Sequence, residues 1–346
     1  MSAPLARRAL LGGLGALGSF GGVACPSRSA LAQPRRSVRS RPYRIVMVIW
    51  RGWTDTDQGF KDYFERRRIP VELIVRDVDR QEAAFPPLIA EIRALRPDLV
   101  YCWGTSVALG VLGRYDAPDR SRYLNEAPTI FCNVSRPVDS RIVEDLAPTG
   151  RNVTGSTFIV PLAAQLATIK SYRRFTRLAC MYNPLEDNAL LTARELESEA
   201  AGHGMELMNE ALPIGDDREP LKSGMLELVA RFKSRGAEVL YVPPDSFLSR
   251  RRRELTLAAL SHHLPTFTAA EGTLKDSYAL MGLVNYYYVI GQLTAWQAEQ
   301  IMLDGRDAGT MPIEQLSRYS LVINMRTALA LDLPPPMLMM RVAEIA

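Results

Sequence analysis

DLVYCWGTSVAL, residues 98–109, changes character at its middle. The apolar run Leu99 to Trp103 has the composition of a strand buried on both faces. Gly104-Thr105-Ser106 supplies a turn, and the small and apolar residues beyond it are spaced as in a helix. Strand, tight loop and helix in that order form the repeating unit of a parallel α/β sheet. Ligands of such sheets bind beyond the carboxyl ends of the strands, where a Gly-Thr-Ser turn offers free backbone N–H groups and two hydroxyls. No base accompanies either hydroxyl, so the turn reads as a holding loop.

The same unit recurs outward from it. Toward the N-terminus, Arg44 to Trp50 (RIVMVIW) is a buried strand with the loop Arg51-Gly52-Trp53-Thr54 at its end, and Asp57 to Arg67 is a helix that Pro70 terminates. Val71 to Arg76 is a second strand and Pro87 to Leu95 an amphipathic helix. Toward the C-terminus, Thr129 to Cys132 is a strand whose loop is Asn133-Val134-Ser135. Gly150 to Gly155 (GRNVTG) then breaks the rhythm like a connection between domains. A second series follows. Its strands are Leu178 to Tyr182, Met205 to Leu212, Val239 to Val242, Pro265 to Thr268 and Tyr278 to Val284; its helices are Gln165 to Tyr172, Ala193 to Ala201, Leu221 to Lys233 and Leu248 to His262. Asn285 to Leu303 is the longest helical pattern, and Ser320 to Asn324 a last strand. The alternation predicts two doubly wound parallel-sheet α/β lobes.

The 346 residues, 47% hydrophobic and 23% charged, are ample for two such cores. At the start, Arg7-Arg8, an apolar Gly-rich stretch to Ala24 and Ala30-Leu31-Ala32 read as a signal peptide over 1–32, cut after Ala32, with 33–42 as a flexible lead. The arginine pair leaves the general and twin-arginine export routes both open, and Val23-Ala24-Cys25 leaves open a lipid anchor at Cys25. Removing the signal leaves 39 basic against 38 acidic residues, so nothing argues for nucleic acid. Cys102, Cys132 and Cys180 lie in apolar runs and read as buried thiols; Cys102 and Cys132 stay candidates for pairing if their strands are neighbours. His203, His262 and His263 make no metal-ligand spacing with them. The four arginines at 250–253 read as a solvated helix face.

Five polar loops therefore stand at strand ends, three in the first half and two in the second: Trp50 to Thr54, Gly104 to Ser106, Asn133 to Ser135, Asn183 to Asn188 and Asp245-Ser246. Facing one another, they would hold a small polar molecule between aromatic walls, with Arg51 set to pair with an anion. No G-x-S-x-G, phosphate-binding loop, dinucleotide fingerprint or H-E-x-x-H is present. Asp187 with Asp245 is the one carboxylate pair available to an enzyme.

Asp98-Leu99-Val100 with Gly104-Thr105, GRNVTG at 150–155, Tyr182-Asn183-Pro184 with Glu186 and Asn188, VPPDS at 242–246 and the closing LVINMRTALALDLPPP together resemble the ABC transporter substrate-binding proteins of tryptophan and tyrosine type. The resemblance runs from Tyr43 to the end. It implies a type I periplasmic-binding-protein fold, two lobes joined by a three-crossover hinge with Asn152 to Gly155 at the first crossover. The lobes would comprise 43–153 with 285–310, and 154–284 with 311–346. It implies no catalysis and no cofactor, a monomer in the periplasm, and ABC permease subunits as partners. The ligand would be small and carboxylate-bearing, an amino acid or an aromatic acid. The expected ligand-binding residues are Trp50, Arg51, Thr54, Gly104, Thr105, Ser106, Asn133, Asn183, Asn188, Asp245 and Ser246. The first loop, Trp50-Arg51-Gly52-Trp53, is bulkier and more cationic than is usual in that family. The competing readings are a ligand sensor for a membrane kinase and an α/β enzyme using the same cleft.

Overall fold

The computed structural model describes residues 41–346; the expected signal peptide, Cys25 and most of the lead lie outside the described residues. In chain order the first elements are β1 (Tyr43–Ile49), α1 (Asp55–Arg67), β2 (Val71–Asp77), α2 (Phe85–Leu95), β3 (Leu99–Trp103), α3 (Thr105–Leu112), β4 (Thr129–Val134) and β5 (Val153–Thr157). The chain then builds a second lobe. It runs through α4 (Leu162–Tyr172), β6 (Arg177–Tyr182), α5 (Asp187–Gly202), β7 (Glu206–Ala211), α6 (Lys222–Ser234), β8 (Val239–Val242), α7 (Ser246–Arg250), α8 (Arg252–Ser261), β9 (Thr266–Thr268), α9 (Glu271–Leu274) and β10 (Met281–Val284). It returns with α10 (Tyr287–Met302) and β11 (Glu314–Gln315). It ends with β12 (Ser320–Ile323), α11 (Met325–Ala330), α12 (Met337–Met340) and β13 (Glu344–Ile345).

The first sheet has the order β11-β5-β4-β3-β1-β2 and the second β13-β12-β10-β9-β8-β6-β7. All strand pairs are parallel except β10 with β12, a departure from the all-parallel expectation. β12 follows the third passage between lobes directly, with no helical crossover to return the chain to the same end of the sheet. The three passages are Phe158–Pro161, Asn285–Tyr286 and Leu316–Tyr319. The expected lobe boundaries at 153/154 and 310/311 move accordingly. Val153 to Gly155 run in register with Thr129 to Phe131, and Glu314–Gln315 pair with Ser156–Thr157, so both segments belong to the first sheet. GRNVTG is thus half loop and half strand, and the first crossover begins after Thr157. Its small polar residues hid a strand that is buried throughout.

Local chemistry explains the framing of the cleft. Thr54 and Asp57 form a capping box at the start of α1. Gly104 takes φ +85 between β3 and α3, a conformation that disfavours any side chain. The expected helix over 248–262 is broken at Arg251 into α7 and α8. α10 fastens the returning chain to the first lobe by packing on α1, where an added Cβ on Gly59 would come 2.2 Å from the Tyr288 carbonyl oxygen and one on Gly291 2.0 Å from that of Thr56. One apolar cluster fills the first lobe and two the second. Cys102 and Cys132 sit on adjacent strands, but Cys102 is opposite Phe131 and Cys132 opposite Trp103. The one-residue offset sends the two side chains to opposite faces, and both thiols are free.

Candidate functional site

A cleft between the lobes is lined by Trp50 and Arg51 after β1, Trp103 to Ser106 around the β3 end, Asn133 and Ser135 at the β4 end, and Phe158 after β5. Glu186 and Asn188 follow β6, Pro244 to Ser246 follow β8, Ala270 follows β9 and Tyr287 opens α10 after β10. Each of these residues stands at or just beyond the carboxyl end of a strand, where parallel sheets bind ligands. Arg51 crosses the cleft. Its Nη1 donates to the Ser246 carbonyl, 3.0 Å away in the other lobe, and its guanidinium carbon lies 5.6 Å from the centre of the Trp103 ring. Burial pulls the Arg51 pKa down, while Tyr287, Glu186 and Asp245 oppose that shift. Guanidinium keeps its charge in such surroundings. With this side chain in place the cleft holds about 50 Å³ of free space.

Glu186 accepts from the Ser246 N–H through both carboxylate oxygens, at 3.1 and 2.9 Å. Burial first, and Asp245 next, push its pKa up to about 7, against the pull of the Ser246 N–H and Arg51. Asp245 is itself pushed upward by burial. Its oxygens are committed to the Leu248 N–H at 2.9 Å, capping α7, and to the Asn183 N–H at 2.7 Å. Asn188 donates to the Pro244 carbonyl at 2.6 Å, joining the two second-lobe loops. Asn133 holds φ +51 and donates to Thr56 Oγ1 at 2.8 Å, while its buried Oδ1 and the Ser135 hydroxyl have no hydrogen-bond partner among the described residues. Phe158 and Tyr287 meet edge to face at 5.7 Å.

Nine of the expected residues therefore line the cleft: Trp50, Arg51, Gly104, Thr105, Ser106, Asn133, Asn188, Asp245 and Ser246. Two stand behind it. Thr54 accepts from Trp103 Nε1 at 3.0 Å and binds Asp57, which also accepts from the Tyr101 hydroxyl, so Thr54 supports the Trp103 wall from behind. Asn183 turns its own loop, accepting from the Leu185 N–H. The carboxylate pair considered for an enzyme does not form: Asp187 pairs with Arg114 at 3.4 Å, and Asp245 faces Glu186 instead. Glu186, Phe158 and Tyr287 were not among the expected ligand residues. Glu186 lies within the polar Asn183 to Asn188 loop, which is the signal for it; Phe158 is hidden by the loop-like start of β5, and Tyr287 by the helical periodicity around it. Among the described residues no three His, Cys, Asp or Glu side chains converge on a metal position, and no helix is long and apolar enough to cross a membrane.

Comparison with known proteins places this geometry. The model of the ABC transporter substrate binding protein family matches residues 88–341. The chain belongs to that family. A tyrosine-binding protein of Clostridioides difficile is 22% identical over 281 residues, covering 80% of this chain and 74% of that protein. Among solved structures, a conserved domain protein of Vibrio cholerae superposes with TM-score 0.76 at 21% identity over 88% of this chain and 99% of its own. A domain from Streptococcus pneumonia, solved with L-Trp, gives 0.73 at 20% identity over 87% and 99%. The fold is that of type I periplasmic binding proteins, and this substrate-binding protein is the ligand-capturing component of an ABC transporter and not an enzyme.

Proposed function

We propose that this substrate-binding protein is exported, captures a small carboxylate-bearing ligand, an amino acid or an aromatic acid, by closing its lobes, and delivers it to ABC permease subunits. Arg51 carries the reading: a cation held inside an aromatic-walled cleft, contacting both lobes, is the group a ligand carboxylate would engage. Glu186, across the cleft, supplies the complementary site for an ammonium group. The unpartnered Asn133 Oδ1 and Ser135 hydroxyl add polar contacts whose satisfaction on binding is worth about 1–3 kcal/mol each. The names of the tyrosine-binding relative and the L-Trp complex agree with that class. Arg7-Arg8 and Ala30-Leu31-Ala32 support export. Because Arg51 fills the closed cleft, entry of a ligand requires opening of the lobes and release of the Ser246 carbonyl. Hinge closure then follows from contacts made to both lobes at once.

The test is a thermal-shift screen of the chain from Gln33 onward against the common amino acids and simple aromatic acids, followed by calorimetric titration of the best ligand. A carboxylate ligand should raise the melting temperature of the parent. Arg51→Ala should weaken its binding about 10- to 100-fold. Equal affinity in parent and variant would remove Arg51 from the ligand.

A further inference from the structure

A groove of about 520 Å³ opens beside the cleft, ten times the free space within it. Ser106 lines both spaces. The partition between them is aromatic: Trp50, on the cleft side, stacks on Phe85, on the groove side, with ring centres 6.4 Å apart and planes 8° from parallel. Ile89, Leu109 and Tyr123 continue the groove wall on the first lobe, and Leu185 of the second lobe closes over it while remaining half exposed. The groove is thus formed mainly by the first lobe and completed on one side by Leu185 and Asp187 of the second, and Glu186 and Leu185 are consecutive residues facing the two spaces.

From this continuity we infer that the groove is a second subsite of the cleft, taking the apolar or aromatic extension of a ligand whose acid group lies at Arg51 and whose chain passes Ser106. The inference rests on the carboxylate reading proposed above for the cleft. The free volume favours it: an aromatic ring does not fit beside Arg51 in about 50 Å³, whereas the groove has room for it and a stretch of apolar wall to cover it, set among the charged side chains of Glu82, Arg93, Arg122 and Asp187. A ligand lodged only in the groove would leave Arg51 unengaged, and one lodged only in the cleft would need the lobes to stand wider apart than they do here.

Four probes of increasing reach test this: phenylacetate, 3-phenylpropanoate, 4-phenylbutanoate and 5-phenylpentanoate. Each is titrated calorimetrically into the parent, Arg51→Ala and Ala90→Trp, the last placing a bulky ring in the groove from an exposed position on α2. Methyl-labelled Ile89, Leu109 and Leu185 are followed by NMR in the same titrations. The expected result is affinity rising up to about fourfold for each added methylene once the ring passes Ser106. Shifts of those methyls should appear with the longer acids only, and both effects should be lost in Ala90→Trp. Affinity independent of length, with the three methyls unmoved by 5-phenylpentanoate, overturns the subsite. The cleft reading is judged separately by 5-phenylpentanoate against Arg51→Ala, with phenylacetate, whose ring has no room beside Arg51, as the weak reference. If Arg51→Ala binds 5-phenylpentanoate as the parent does while the groove methyls still respond to it, the cleft reading fails and the groove stands as a site for the apolar end.

Discussion

At the residue scale, the cleft is set by how few charges it carries and how well each is held. Among the described residues no carboxylate is hydrogen-bonded to Arg51, which meets the Ser246 carbonyl and the Trp103 face, so its charge is available for a ligand at little cost. Glu186 makes a prediction with a definite sign. Its pKa stands at about 7 in the folded protein against 4.5 when exposed. The folded state therefore holds the proton more tightly, and the contribution to stability is largest below pH 4.5. It falls as pH rises toward 7 and is flat above. The cause is burial first and the neighbouring Asp245 second, so an uncharged isostere escapes it. Urea unfolding of the parent and Glu186→Gln at pH 5 and pH 8 should show the variant gaining on the parent by about 1–3 kcal/mol across that window. A difference between the two proteins that stays constant would show Glu186 ionised throughout. Turn-forming polar residues at strand ends gave most of the cleft away in the sequence, because the same side chains that make turns also make ligand contacts. Thr54 and Asn183 belong to that chemistry but spend it on neighbours: one steadies Trp103, the other its own loop. Nothing in residue type separates a hydroxyl that faces a ligand from one that faces an indole nitrogen.

At the scale of elements, the seam between α1 and α10 decides whether the first lobe keeps its returning chain. Gly59 and Gly291 let two helix backbones approach so closely that a methyl on either would collide with a carbonyl of the other helix. Alanine is better than glycine by about 1 kcal/mol in a helix interior, yet the collision with backbone leaves nothing flexible to move aside. Gly59→Ala and Gly291→Ala should each destabilise the protein by about 1–3 kcal/mol in denaturant unfolding; a gain in stability would show that the seam relaxes freely. The helices themselves were readable, since apolar spacing, the proline near the start of α2 and the residues of long strands mark them locally. The seam was not, because its two glycines lie more than two hundred positions apart and look like ordinary helix interruptions. β5 was misread for the related reason that Val-Thr-Gly-Ser-Thr has strand character only once β4 is known to lie beside it. β11 and β13, two residues each, have no periodicity to detect.

For the whole molecule, the two-lobe plan followed from alternation of strands and helices, but the state of the cleft depends on contacts that no local pattern encodes. Among the described residues, three ion pairs join the lobes around it. Lys275 bridges Glu271, at 2.9 Å, and Asp55 of α1; Arg114 meets Asp187 at 3.4 Å; Arg136 pairs with Glu195 and donates to Thr192 Oγ1 at 3.3 Å. Exposed pairs of this kind contribute about 0.2–1 kcal/mol each, and Arg136, only 13% exposed, belongs at the upper end. Together they favour closure by about 1–2 kcal/mol, enough to move the open-to-closed ratio roughly tenfold, and salt screens them. Arg136→Ala combined with Lys275→Ala should therefore enlarge the radius of gyration of the ligand-free protein in small-angle scattering. The parent should show the same drift between low and high salt, and the double variant should show less of it. Because only the closed form makes contacts from both lobes, ligand affinity should fall by the factor by which the closed population falls. Scattering curves that coincide for parent and variant at low salt would mean that packing along the passages, not charge, holds the lobes together.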